Sequence, residues 1–135
     1  MRRDLVVDEG MRLTVYKDLL GIDTIGVGRN LRDKGITEAE ALRLLDHDID
    51  ECLQDLMMFP WFVRLDGVRQ IALVNLRFNL GRAGFRGFHK MIAALAASDH
   101  ARAATELLMS KWSTQVAPAR RDRLVAMVKT GTLAS

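Results

Sequence analysis

The chain has a single cysteine, Cys52, so no internal disulfide can form and the fold must hold without covalent staples. That suits synthesis in a reducing cytoplasm, and Cys52, set in a helical pattern, reads as an inert buried thiol. Aromatic residues make up only 6% of the chain, so its core must lean on Leu, Val, Ile, Ala and seven Met. No apolar run reaches the length of a membrane span, which argues against stable membrane insertion. The start, Met-Arg-Arg-Asp-Leu-Val-Val-Asp-Glu, is basic but lacks the apolar centre of a signal peptide. There are no repeats, low-complexity segments or interdomain linkers.

What is present is the balance of a soluble globular protein: 49% hydrophobic and 27% charged residues in a chain of 135. That length allows one domain with a core, or two small lobes sharing a helix. The net charge of +3 suits a polyanionic partner such as a bacterial cell wall, and would equally suit nucleic acid, without demanding either.

Punctuation divides the chain. Residues 1–10 read as a short helix stopped by Gly10. Residues 11–36 hold two β-prone runs, Leu13–Tyr16 and Ile22–Val27, around a turn closed by Gly21. Thr37 and Glu40 form a capping box that opens a connecting helix over 37–57, with Ala41, Leu42, Leu45, Ile49, Leu53 and Leu56 along one face. Pro60 breaks the pattern. Asp66 caps a central buried helix reaching Gly81, whose inward positions include Val68, Ile71, Ala72, Asn75, Leu76 and Asn79. Further helices follow at Phe88–Ala97, from Ser98 to Ser110, and at Ala119–Lys129. The expected fold is α+β and mostly α: a β-hairpin lobe over 11–36, the connecting helix, and a helical lobe over 58–135 joined by residues 1–10.

Three side chains in the first thirty residues carry chemistry. A hairpin beside a helix end can bring Glu9, Asp18 and Thr24 to one cleft. Glycosidic hydrolysis needs two carboxylates, one to protonate the leaving oxygen and one to handle water or the developing cation. The acid must stay protonated, which needs burial or a negative neighbour. A threonine hydroxyl can hold the attacking water. On spacing alone, seventeen acidic residues give many such pairs, and Glu9 reads more simply as a solvated helix-end carboxylate.

The surrounding residues change that balance. Glu9, eight residues, Asp18, five residues and Thr24, set in Asp8-Glu-Gly10, Tyr16-Lys-Asp18 and Thr24-Ile-Gly-Val-Gly28, resemble the phage-type lysozymes related to those of the T-even bacteriophages. The resemblance covers nearly the whole chain. It implies a lysozyme-like fold with a cleft between lobes. It also implies a muramidase that cuts the β-1,4 bond between N-acetylmuramic acid and N-acetylglucosamine in peptidoglycan. Glu9 would be the general acid, Asp18 the group that orients water or stabilises the cation, and Thr24 a water ligand. It implies inversion at the anomeric carbon, no cofactor and no metal, a monomer, and an endolysin made in the host cytoplasm that acts on the cell wall. Beside the family the β-region is shorter, by roughly twenty residues, so the small lobe should be trimmed.

The same resemblance places Asn79 and Arg120 as substrate-side contacts. Asn75 reads as structural, and Arg120 matches an arginine that pairs with the catalytic glutamate. Arg29 departs from the family, which has histidine after the G-x-G, and it could hold an acidic partner such as Asp33. Asp46 to Glu51 is dense in metal-ligand types, and His47 and Glu51 share a helical face. With no second histidine and no cysteine there, this is a solvated face; His89 and His100 are likewise isolated. Two other functions compete. One is an inactive wall-binding module of the same fold. The other is a basic amphipathic protein that touches membrane or nucleic acid through Arg120, Arg121 and Arg123 and the apolar Leu124, Val125 and Val128.

Overall fold

Helix α1 (Arg2–Glu9) ends where Gly10 takes a φ of 75° and returns its N–H to the Val6 carbonyl at 2.8 Å. Glycine tolerates that backbone because it has no Cβ. The chain then extends into β1 (Arg12–Lys17), turns, and returns as β2 (Asp23–Gly26), with Tyr16 opposite Thr24 and Lys17 opposite Asp23. A third strand, β3 (Arg29–Asn30), was not expected. Gly26 and Gly28, both with φ near 70°, turn the chain back, so that Thr24 faces Asn30 and Ile25 faces Arg29 in an antiparallel sheet of order β1-β2-β3.

Helix α2 (Glu38–Leu56) starts on the capping box read from the sequence. The Glu40 N–H donates to Thr37 Oγ1 (3.1 Å), and the Thr37 N–H donates to Glu40 Oε1 (3.0 Å). Its deeply buried residues sit at the end of the helix: Cys52, Asp55 and Leu56. Leu42 and Leu45, placed on its apolar face above, are exposed.

The computed structural model describes residues 1–133. The chain forms two compact units, Met1–Leu45 and Asp46–Ser135, and α2 passes through the boundary. The last two residues of the helical lobe expected over 58–135 lie outside the described residues.

In the second unit a 3-10 turn (Phe62–Arg64) follows Pro60 and leads to α3 (Gly67–Arg86), capped as expected by Asp66, which accepts the Arg69 N–H at 3.0 Å. The helix does not end at Gly81. That glycine (φ 75°, ψ 171°) kinks it, and helical structure resumes to Arg86. Ile71 faces outward, 57% exposed, because the inward face runs through Ala72, Leu73, Leu76 and Arg77. Helices α4 (His89–Ala96), α5 (His100–Leu108), α6 (Trp112–Gln115) and α7 (Pro118–Thr130) complete the unit. The cap of α5 is Asp99, which accepts the Arg102 N–H, and not Ser98, whose φ of 57° turns the chain just before it. Leu73, Leu76, Phe85, Met91, Leu107 and Leu124 lie at the centre of one apolar core.

Candidate active site

Asp18 is held by its own turn. The Gly21 N–H donates to the Asp18 carbonyl, and the Asp18 N–H donates to the Ile22 carbonyl, both at 3.0 Å. One carboxylate oxygen, Oδ1, accepts from the backbone N–H groups of Leu20 (2.8 Å) and Ile22 (2.9 Å). A short aspartate bonded to the amides two and four residues on is fixed in direction. The two donors leave Oδ2 as the acceptor open to a ligand.

Thr24 is the one side chain of the first unit that is fully buried among the described residues. Cross-strand partners share a face and side chains alternate along a strand. With Tyr16 opposite Thr24 and Lys17 opposite Asp23, Asp18 follows directly on the end of β1, in the turn that leads to β2. The Thr24 hydroxyl donates to the Ile22 carbonyl at 2.9 Å. Its only proton is thereby committed, and what it offers is its lone pairs.

Glu9, the last residue of α1, is exposed and lines an open pocket of about 490 Å³ with Met1, Arg2, Leu5, Val6, Val27 and Gly28. Its carboxylate lies against the backbone of Gly28. A Cβ built on Gly28 would stand 2.9 Å from Glu9 Oε2, and φ there is +68°. This position needs glycine for its left-handed backbone, and any side chain there would have to displace the Glu9 carboxylate.

Arg29 follows directly, and its partner is not Asp33. Nη2 pairs with Glu40 Oε2 at 3.0 Å, while Nη1 donates to Glu40 Oε1 (3.0 Å) and to the Gly35 carbonyl (3.2 Å). A guanidinium fork fits a carboxylate by two parallel bonds, and Glu40, on the first turn of α2, is within its reach. Hydrogen bonds from Arg29 and from Thr37 hold the Glu40 carboxyl down at about 2, against an ordinary 4.5. Asp33 bonds instead with the Asn30 side chain and Arg32.

In the second unit the two asparagines of α3 each have a partner. Arg120 donates from Nε (2.9 Å) and Nη2 (2.6 Å) to Asn75 Oδ1. Trp112 Nε1 donates to Asn79 Oδ1 at 2.8 Å. Asn79 also lines an open pocket of about 470 Å³ with Leu80, Trp112, Gln115, Val116 and Ala117. The larger cavity of the unit, about 740 Å³ between His89, Met91, Glu106, Lys111 and Trp112, has Glu106 as its sole carboxylate and so lacks the acid pair.

Sequence reasoning missed Asp55. Buried on α2, it accepts from Arg77 Nε (2.7 Å) and Arg86 Nη2 (2.8 Å), with Arg82 Nε at 3.4 Å. Burial pushes its carboxyl up, but the bonds from Arg86 and Arg77 outweigh that and hold it below the ordinary range. The readable signal was Arg77, four residues after Leu73 on an inward helix face, since a charge there demands a partner. His47, Asp48 and Glu51 bring one ligand atom each within 4.8 Å of one another, and all three are exposed.

Comparisons with known proteins show what the chain is similar to. Residues 7–127 match the family model "Phage lysozyme". The chain is 28% identical over 160 residues to a probable T4-type lysozyme 2 of Dictyostelium discoideum, covering 96% of this chain and 93% of that protein. It is 29% identical over 157 residues to the pre-baseplate central spike protein Gp5 of Enterobacteria phage T4, of which it covers 27%. It is 33% identical over 91 residues to the endolysin of Salmonella phage P22, covering 59% of this chain and 60% of that one. Alignments longer than the whole 135-residue chain mean that the first two carry segments with no counterpart here.

Proposed function

We propose, from the premise that the chain belongs to the phage lysozyme family, that this lysozyme-like protein hydrolyses the β-1,4 bond between N-acetylmuramic acid and N-acetylglucosamine and serves as an endolysin. The observation that carries the reading is the Asp18 carboxylate fixed by its turn two residues beyond the Tyr16–Thr24 pair, with Glu9 seated against Gly28. Glu9 donates its proton to the leaving oxygen. The exposed carboxyl has no burial of its own, so the bound glycan must supply the desolvation a general acid needs. Asp18 Oδ2 and the lone pairs of Thr24 accept the two protons of one water. Its own lone pair is then directed at the anomeric carbon, and the outcome is inversion. The requirement assigned to Thr24 is therefore narrower than donor and acceptor together, because its proton is spent on Ile22. Asn79 and Arg120 are the proposed glycan contacts of the second unit, each already oriented by a hydrogen bond.

The membrane-active alternative loses its apolar stripe. Leu124 and Val128 are 1% exposed, within the core. The wall-binding module keeps every residue above and differs only in turnover. Clearing of outer-membrane-permeabilised Gram-negative cells separates them. Lysis by the wild type that falls by about 10²–10⁴-fold in Glu9→Gln is expected of general acid catalysis. Equal lysis by both proteins would remove Glu9 from the reaction, and glycan binding without lysis by either would favour the module.

A further inference from the structure

We infer that Arg29 and Glu40 are positioning residues for Glu9, holding the Gly28 backbone at the distance that seats its carboxylate. This rests on the reading of Glu9 as the general acid. The chain of contacts is short. Glu40 is fixed to the start of α2 by its two-way bond with Thr37. It grips Arg29 by both oxygens, and Arg29 is further tied to the Gly35 carbonyl. Arg29 is bonded covalently to Gly28, against which Glu9 Oε2 rests with no room for a methyl group. Gly28 has no side chain with which to hold its own place, and it lies in the turn between β2 and β3. The residue that anchors this turn to a helix end is its neighbour, Arg29. A carboxylate in van der Waals contact with the backbone follows a displacement of a few tenths of an ångström, and small misplacements of a reacting group cost rate steeply.

The pair acts through Glu9 and makes no contact with substrate. Its loss should lower kcat and spare KM. Glu40→Gln keeps an acceptor for the Thr37 N–H and removes the charge that holds Arg29. Thr37→Ala removes one capping bond and leaves the Arg29–Glu40 contact intact. Steady-state lysis kinetics on purified peptidoglycan, with Tm measured alongside, distinguish the roles. Glu40→Gln is expected to lower kcat about tenfold, with KM within twofold. Arg29→Met should match it, Arg29→Lys should recover part of the rate, and Thr37→Ala should lower Tm while kcat stays within twofold. The Glu9 side-chain carboxyl ¹³C resonance should move in Glu40→Gln and stay in place in Thr37→Ala. If Glu40→Gln retains full kcat and an unmoved Glu9 resonance while Glu9→Gln is inactive, the positioning role is overturned and the muramidase reading stands. A wild type that cuts no peptidoglycan takes both down. A kcat loss in Thr37→Ala equal to that in Glu40→Gln would reduce the pair to a stability element.

Discussion

The two units keep their shapes by different means. The second has an apolar core running from Leu56 to Val128, with Phe85, Leu73, Leu76 and Leu107 wholly shielded. Among the described residues of the first, Thr24 alone is buried, while Leu13, Leu19 and Leu20 are more than 80% exposed. That unit relies on glycine turns, the amide bonds to Asp18, the capping box and the Arg29–Glu40 pair. The proposed acid, the proposed water ligands and the close approach of Glu9 to Gly28 all lie in this weakly packed part. Function placed there depends on directional bonds whose geometry is specified residue by residue, whereas the core unit depends on volume.

Cutting into each unit should expose that difference, and the largest effect belongs to the core. Leu73→Ala should destabilise the protein by about 2–5 kcal/mol in denaturant unfolding, through lost burial and an unfilled cavity. Next comes Gly28→Ala. Its left-handed backbone should cost about 1–3 kcal/mol, and the displacement of the Glu9 carboxylate by the added methyl should remove most lytic activity, so that activity falls much further than Tm does. Acid should then act on both units by the same sign. Glu40 and Asp55 are held below their ordinary ranges, so the stability they confer is complete above the unfolded carboxylate range and is lost as pH falls toward the folded value, about 2 for Glu40. A Tm series from pH 6 to pH 2 should decline through that window, and Glu40→Gln should flatten its lower part. The smallest effect is Leu13→Ser, expected within about 0.5 kcal/mol because the side chain is exposed. A large loss there would mean that the first unit does use an apolar contact.

Much of this was legible in the sequence because the signals are local. Gly10, the Thr37–Glu40 box and the Asp66 cap are read from neighbours three or four residues apart, and each is where the spacing put it. The end of α3 was misread because a glycine signals that a helix can bend, and only packing decides whether it resumes. Thr24 was visible as a candidate, but the commitment of its proton to Ile22 depends on strand register. Arg29 was read with Asp33, near it in sequence, and its partner is Glu40. The choice was made by the placement of α2 against the strand end, which no spacing rule contains. Arg77 on an inward helix face signalled a buried partner, but that the partner is Asp55, brought to Arg77 and Arg86 across 22 and 31 residues, was beyond any local pattern.

The near absence of buried side chains in the first unit also bears on how such chains change length over descent. Removing a segment from a packed interior leaves a void that its neighbours must collapse to fill. Removing one from a region where a single threonine is buried opens little void and strands only half-buried apolar surface. Trimming or extending the first unit of this chain should therefore carry little energetic penalty, provided the glycine turns and the Arg29–Glu40 link survive. The part of the molecule nearest the proposed chemistry is, for that reason, the part most open to trimming and extension.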